Sequence, residues 1–156
     1  MYKSKLIHFT YSLIHLTFTT VIHIEQVTPE LTWQLRRDVL YPGNYVFDMG
    51  MDEDLEGYHF GAFTDTKLIG VVSLFPKGET WQFRKFAIDA EFQGQGIGRL
   101  LLDYISDFAK SEGATHLWCN ARLSALGFYA KSGFVQTGET FSKGGIDYEI
   151  MERQLS

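Results

Sequence analysis

The chain has 156 residues, 45% apolar and 21% charged, with a net charge of -5. That is the length of one domain with room for a hydrophobic core, and its composition excludes global disorder. The negative balance argues against general nucleic-acid binding, which needs a cationic surface, and the lone Cys119 excludes an internal disulfide. No Cys/His spacing suits a metal, so a reducing cytoplasm and no metal are expected.

From Leu6 to Ile24 there is no Asp, Glu, Lys or Arg, and Lys3 and Lys5 precede the run, which has the outline of a targeting segment. His8, His15 and His23 interrupt it together with Thr and Ser, so it is not a continuous apolar span and no membrane partner is expected. "LTFTTVIHIEQV" alternates and is rich in β-branched residues, which predicts a strand. Residues 1–19 are read as an N-terminal extension and 20–156 as the domain.

"TPELTWQLRRDVLYPG" predicts a helix, with Thr28 as cap, Pro29 in the first position, Leu31, Leu35 and Val39 at fourfold spacing, and Pro42-Gly43 ending it. "GNYVFDMGMDEDLEG" has no period and reads as a loop, its acids Asp52, Glu53 and Asp54 a solvated turn. "YHFGAFTDTKLIGVVSLFP" predicts a hairpin around Thr64 to Lys67, and "TWQFRKFAID" a further strand. Next comes a helix with Ile97, Leu100, Leu101, Tyr104, Ile105 and Phe108 on its buried face, closed by Gly113. "THLWCNA" is a strand, "RLSALGFYAKSG" a helix ended by Gly133, and "FVQTGETF" and "IDYEIMERQL" two strands around Lys143-Gly144-Gly145. This order indicates an α/β (α+β) domain, a mixed sheet flanked by helices.

Gly94, Gly96 and Gly98 stand at the N-terminus of the long helix, where unsatisfied backbone N–H groups and the helix dipole favour an anion. Glycine permits the positive φ of an anion-binding nest. The spacing is not a dinucleotide fingerprint, because Arg99 stands where the third glycine belongs, and no Gly-Lys-Ser/Thr run makes a P-loop. A ligandless strand-to-helix turn is the alternative on the loop alone.

"QGQGIG" (Gln93 to Gly98) resembles the Gln/Arg-x-x-Gly-x-Gly/Ala signature of the GCN5-related N-acetyltransferase (GNAT) superfamily. "KFAID" is similar to the family strand before it, "LWCNARLSALGFYAKSGF" to the next motif with its Phe-Tyr-x-x-x-Gly-Phe block, and "HFGAF…LIGVVSLFP" to the second and third strands. The likeness runs from about Val21 to the C-terminus. It implies the acyl-CoA N-acyltransferase fold, with a central mixed, mostly antiparallel sheet.

The resemblance further implies acetyl-CoA as co-substrate. The backbone of Gln93, Gly94, Gln95, Gly96, Ile97 and Gly98 then holds the pyrophosphate, and pantetheine lies along Phe86, Ala87 and Ile88. Acetyl transfer goes directly to an amine in a ternary complex, and Tyr129 matches the family tyrosine that protonates the leaving thiolate. The alternative for Tyr129 is a core aromatic beside Phe128. Arg122 stands where many members have asparagine; it reaches pantetheine or phosphate, or is a surface arginine. Asn120 either caps the next helix or binds pantetheine, and Lys131 and Arg99 pair with phosphates or are merely solvated. Cys119 reads as packed in the sheet.

The strand positions where members carry a base hold Gln82 and Arg84, neither a base at neutral pH. Ordered water, an acceptor of low pKa, or one of His59, Glu79 and Glu149 remains for that role. Arg36, Arg37, Tyr41 and Tyr148 lie where members shape the acceptor cleft. The missing strand base also motivates a second reading, a catalytically weak acyl-CoA-binding sensor, and a third is an acyltransferase with a longer acyl donor or an oxygen acceptor. The acceptor amine is left open, and family members occur as monomers and as homodimers.

Overall fold

The computed structural model describes residues 5–13 and 16–156, with side chains from Val21 onward. Its strands are β1 (Lys5–Leu13), β2 (Leu16–Val27), β3 (Tyr58–Phe63), β4 (Leu68–Phe75), β5 (Thr80–Ile88), β6 (His116–Arg122), β7 (Val135–Lys143) and β8 (Ile146–Gln154). They form one mixed sheet in the order β1-β2-β3-β4-β5-β6-β8-β7. The α-helices are α1 (Pro29–Leu35), α2 (Ile97–Ser111) and α3 (Leu126–Lys131). The chain divides into two compact units, one made of the residues up to Ser73 with Lys85–Leu101, the other of Leu74–Arg84 with Leu102–Ser156.

In the first unit β1 pairs antiparallel with β2, from Lys5↔Ile24 to Leu13↔Leu16, and β2 pairs antiparallel with β3, from His23↔Phe63 to Val27↔His59. The strand expected in "LTFTTVIHIEQV" is β2; β1 is an element that sequence pattern did not reveal, formed within the stretch read as an extension. Lys3 and His15, read with that stretch, lie outside the described residues. The alternation of β2 has its physical cause in burial: Ile22 and Ile24 are in the core, while His23 and Glu25 are half-buried. Opposite Ile24 stands Ala62, equally buried. The hairpin after β3 closes as expected, with the Thr64 N–H donating to the Lys67 carbonyl at 3.0 Å. From Ile69 to Ser73 every residue of β4 is buried, the mark of a strand covered on both faces. Leu35, Val71 and Ala87 form a cluster here, fringed by Val39, Leu40 and Leu68.

The helix predicted after β2 starts where expected, with Pro29 in its first turn, but departs in two ways. Thr28 stands at the N-cap without a side-chain cap bond; instead the Thr32 hydroxyl donates to the Pro29 carbonyl at 2.6 Å. The α-helix also stops at Leu35, and Arg36–Leu40 continue as a π-helical turn, the Tyr41 N–H reaching back to the Arg36 carbonyl at 3.2 Å. Such wider turns re-aim side chains that a regular helix would misplace. The following segment, expected as plain loop, contains two 3-10 turns, Val46–Met49 and Asp52–Glu56. Its acids are not uniformly solvated: Asp52 and Glu53 are exposed, but Asp54 is only 5% exposed.

In the second unit β5 pairs parallel with β6 over Thr80–Gln82 and His116–Trp118 alone, and β6 pairs antiparallel with β8 from His116↔Gln154 to Arg122↔Tyr148. Strand β7 pairs antiparallel with β8, interrupted by a bulge between Gln136 and Thr140 where Gly138 has φ +82°. Every residue of β7 is exposed. Within this unit α2 buries Leu102, Ile105, Ser106 and Ala109, while Tyr104 and Phe108 are half-buried. Its apolar stripe is therefore rotated toward Leu102 relative to the face expected from sequence, and Phe108 meets Trp81 edge-on at 6.4 Å. The segment "RLSALGFYAKSG" forms a 3-10 turn, Leu123–Ala125, before α3. Gly133, at φ +88°, ends α3 as expected, and the Phe134 N–H returns to the Tyr129 carbonyl at 3.0 Å.

Candidate active site

The glycine loop lies in the first unit. Gly94 and Gly96 have φ of +76° and +84°, and a Cβ built on Gly94 would meet no atom within 4 Å. Their backbone thus adopts the left-handed conformation of an anion nest with open space beside it. Side chains fix the approach to this turn. Asp89 accepts from the Glu91 N–H at 3.0 Å, Gln93 Nε2 donates to the Ile88 carbonyl at 2.9 Å, and Gln95 Nε2 donates to the Glu91 carbonyl at 3.2 Å. Gln93 and Gln95 therefore use their side chains to hold the loop. The bond from the Leu100 N–H to the Gly96 carbonyl, at 3.2 Å, marks the start of the helical ladder; the amides before it stand at the positive end of a 15-residue helix.

Immediately upstream, Phe86 is half-buried and Ala87 and Ile88 are buried on β5. Lys85 before them has φ +55° in the middle of a strand, a conformation costing a non-glycine residue about 1–3 kcal/mol. Its Nζ donates to the Tyr41 hydroxyl and stands 4.4 Å from the centre of that ring. Sequence reasoning singled out Tyr41 but not Lys85. Nothing about a lysine announces a left-handed backbone, which Gly or Asn usually marks.

Arg36 is fully buried and its guanidinium is engaged on several sides. It forks onto Asp54, Nη1 to Oδ2 at 2.8 Å and Nη2 to Oδ1 at 2.9 Å, and also donates to the Met49 carbonyl at 2.9 Å and to Ser73 Oγ at 2.8 Å. His59 completes the chain, with Nε2 2.7 Å from the Asp54 carbonyl and Nδ1 2.7 Å from Ser73 Oγ. A carbonyl only accepts, so Nε2 carries the proton and neutral Nδ1 accepts from the Ser73 hydroxyl. Burial depresses the His59 pKa, and Arg36 adds to this against the opposing pull of Asp54. Arg36, expected at the acceptor cleft, and His59, weighed as a base, are thus joined in one buried network with Asp54 and Ser73.

The sign of this effect is definite. The unfolded histidine takes up a proton near 6.5 and the native one only at lower pH, so its stabilising contribution is present above 6.5 and is lost as pH falls toward the native value. Chemical denaturation between pH 7.5 and 5 should show stability falling with acid in the wild type, with a shallower slope in His59→Gln. Equal slopes would reject the assignment.

The second unit holds the remaining candidates. Tyr129 on α3 is 8% exposed and sits among Phe83, Phe128 and Phe134, with ring centres 5.7, 5.2 and 6.1 Å away. Burial, assisted by the nearby Cys119 thiol and opposed by Arg122, pushes its pKa well above the ordinary phenol value, so the hydroxyl keeps its proton. Cys119 is buried in β6 and its thiol is pushed up to about 12 by burial, which makes it inert as a nucleophile. Arg122 and Tyr148 are cross-strand partners, both half-buried. Asn120 and Lys131 are exposed. Gln82, opposite Trp118, and Arg84, whose guanidinium lies 5.7 Å from the Phe75 ring centre, are half-buried on β5. Glu79 is exposed, whereas Glu149 is buried with Oε2 accepting no hydrogen bond.

A mixed sheet with a short parallel pairing at β5–β6, and a glycine nest opening the helix after β5, define the acyl-CoA N-acyltransferase class of fold. The profile of the acetyltransferase (GNAT) domain matches residues 43–155. An uncharacterized N-acetyltransferase of Bacillus subtilis (strain 168), YitI, is 28% identical over 140 residues, covering 84% of this chain and 94% of that protein. A GNAT family acetyltransferase from Elizabethkingia anophelis, solved with acetyl-CoA bound, superposes with a TM-score of 0.69 at 23% identity, over 86% of this chain and 98% of that one. The ribosomal-protein-S18-alanine N-acetyltransferase from Escherichia coli gives 0.70 at 20% identity, over 86% and 94%. The chain belongs to the GNAT acetyltransferase family. Among the described residues no group of His, Cys, Asp or Glu could hold a metal, and no helix is long and apolar enough to cross a membrane.

Proposed function

We propose that the protein is an acetyl-CoA-dependent N-acetyltransferase that passes the acetyl group directly to an amine in a ternary complex. The observation that carries this is the nest at Gly94 and Gly96 opening onto α2 in a chain of this family. Acetyl-CoA fits it: the open space beside Gly94 admits a phosphate, and the amides at the helix start supply donors without side-chain charge. The ladder between β5 and β6 ends at Gln82 and Trp118, so the edge of β5 beyond it is the reading's pantetheine track along Phe86, Ala87 and Ile88. Asn120, Arg122, Arg99 and Lys131 are its proposed contacts for pantetheine and phosphates. Acetyl-CoA supplies an activated thioester.

Tyr129 is the acid of this reading. A phenol held neutral by burial can donate its proton to a departing thiolate. Tyr41, Gln82, Arg84 and Tyr148 remain as proposed contacts for the acceptor, and the setting is read as cytoplasmic.

Acetyl-CoA at 100 times its Kd should stabilise the native state by about 2.7 kcal/mol, raising Tm by roughly 5–10 °C. Gly94→Ala should weaken this response, since its Cβ enters the nest and its φ is unfavourable. Thiol release with a panel of amines, peptides and aminoglycosides then identifies the acceptor. No rise in Tm at millimolar acetyl-CoA would refute the reading. A rise without thiol release would favour the acyl-CoA-binding protein.

A further inference from the structure

Glu149 is 8% exposed, and its Oε2 is buried without a hydrogen-bond donor. It sits on the middle strand of the β6-β8-β7 group, opposite Ala121 on β6 and Thr140 on β7. Directly opposed residues share a face, as do residues two apart along a strand. Glu149 therefore shares its face with Met151, Ala121 and Cys119, all essentially buried. Phe83 and Cys119 stand two residues beyond the paired Trp81 and Leu117 and so lie on this same face, and the Tyr129 ring packs 5.7 Å from that of Phe83, which places the helix carrying Tyr129 over it. A carboxylate oxygen in such surroundings is costly unless a donor reaches it.

We infer that Glu149 receives the acceptor's ammonium and is the general base that removes its proton, with the acceptor a primary amine. This rests on the acetyltransferase reading above. The step balances as follows. R–NH3+ gives one proton to the Glu149 carboxylate, which later loses it to solvent. The amine lone pair attacks the acetyl carbonyl, so a C–N bond forms and the C–S bond breaks. The thiolate takes the Tyr129 proton, and Tyr129 is restored by the second proton leaving nitrogen. The products are the N-acetyl amine, CoA thiol and one released proton. The assignment fills the role that Gln82 and Arg84 cannot. Of the titratable and charged groups on these strands, Cys119 on β6 and Asp147 and Arg153 on β8 share the face of Glu149, and Tyr129 on α3 lies over it; Arg122 and Tyr148 alternate to the other face, and the opposing Thr140 does not titrate.

The test uses full-length wild type, Glu149→Gln, Glu149→Asp and Glu149→Leu. Thiol release is followed from pH 6 to 10 with spermidine, a lysine peptide, an alanine-N-terminal peptide and an aminoglycoside. Glu149→Gln should lose about 10²-fold in kcat/KM for the amine at pH 7 while the rise in Tm with acetyl-CoA is unchanged. Its deficit should shrink toward pH 10, where the amine deprotonates unaided, and Glu149→Asp should recover part of the rate. Glu149→Leu, which removes a buried carboxylate oxygen that no donor reaches, should hold or raise Tm. A rate for Glu149→Gln within threefold of wild type overturns the inference, as does a deficit constant across pH or a lower Tm for Glu149→Leu. If the wild type acetylates none of the four amines, the acetyltransferase reading fails with it; if it does and Glu149→Gln matches it, only the role of Glu149 fails.

Discussion

Tyr129→Phe should lower kcat by about 10²-fold while leaving affinity for acetyl-CoA nearly unchanged. The substitution removes one oxygen and keeps the ring that packs against Phe83, Phe128 and Phe134, so the fold has no reason to respond. The proposed loss is confined to the transition state, where the thiolate must be protonated as the C–S bond breaks. An interaction made only there lowers kcat and kcat/KM together and spares KM. Because burial raises the Tyr129 pKa, this group should impose no fall in rate between pH 7 and 9. Steady-state kinetics with the best amine of the panel decide the matter, and unchanged kcat would leave Tyr129 as a core aromatic.

Asp54→Ala should destabilise the protein by about 3–5 kcal/mol, or roughly 10 °C in Tm. It leaves the Arg36 guanidinium fully buried without its carboxylate and removes the acceptor for the Met51 N–H at 3.0 Å. Burial alone would raise the Asp54 pKa, but the Arg36 fork, the Met51 amide and neighbouring charges outweigh it and hold it below the ordinary 3.8. A depressed carboxyl stabilises the fold above that unfolded value and loses its contribution as pH falls through the native one, so the wild-type advantage should vanish in strong acid. The double variant Arg36→Met/Asp54→Leu should recover much of the loss, because the cost lies in the unpaired charge. Urea denaturation of the three proteins measures this; an Asp54→Ala within about 1 kcal/mol of wild type would show the pair to be dispensable.

What sequence pattern could reveal was set by periodicity and by residues with one strong backbone preference. Strand β2, the β3–β4 hairpin, the long helix and the stop at Gly133 were all legible, because alternation, turn residues and glycine act locally. Asp54 was not legible: three acids in a row look solvated until a buried arginine 18 positions away supplies the partner. The π-helical turn that brings Arg36 to it has no signature in composition. Lys85 failed for the opposite reason, since its backbone conformation contradicts its residue type and is imposed by its surroundings. The roles proposed for the glycine loop and Tyr129 come from family resemblance and motif spacing. Glu149 was visible as a carboxylate, but its burial depends on strand register that only the folded sheet fixes.

Strand β7 has one further consequence. A sheet's last strand offers unused main-chain donors and acceptors to any passing extended segment, and a straight one would invite a second chain to continue the ladder. Here the bulge at Gly138 breaks the hydrogen-bond rhythm midway, and Glu139 and Lys143 add charge to the exposed rim. The same nine residues that contribute little to the core therefore act as a selvedge, a finished margin that keeps the sheet from being extended by a stranger.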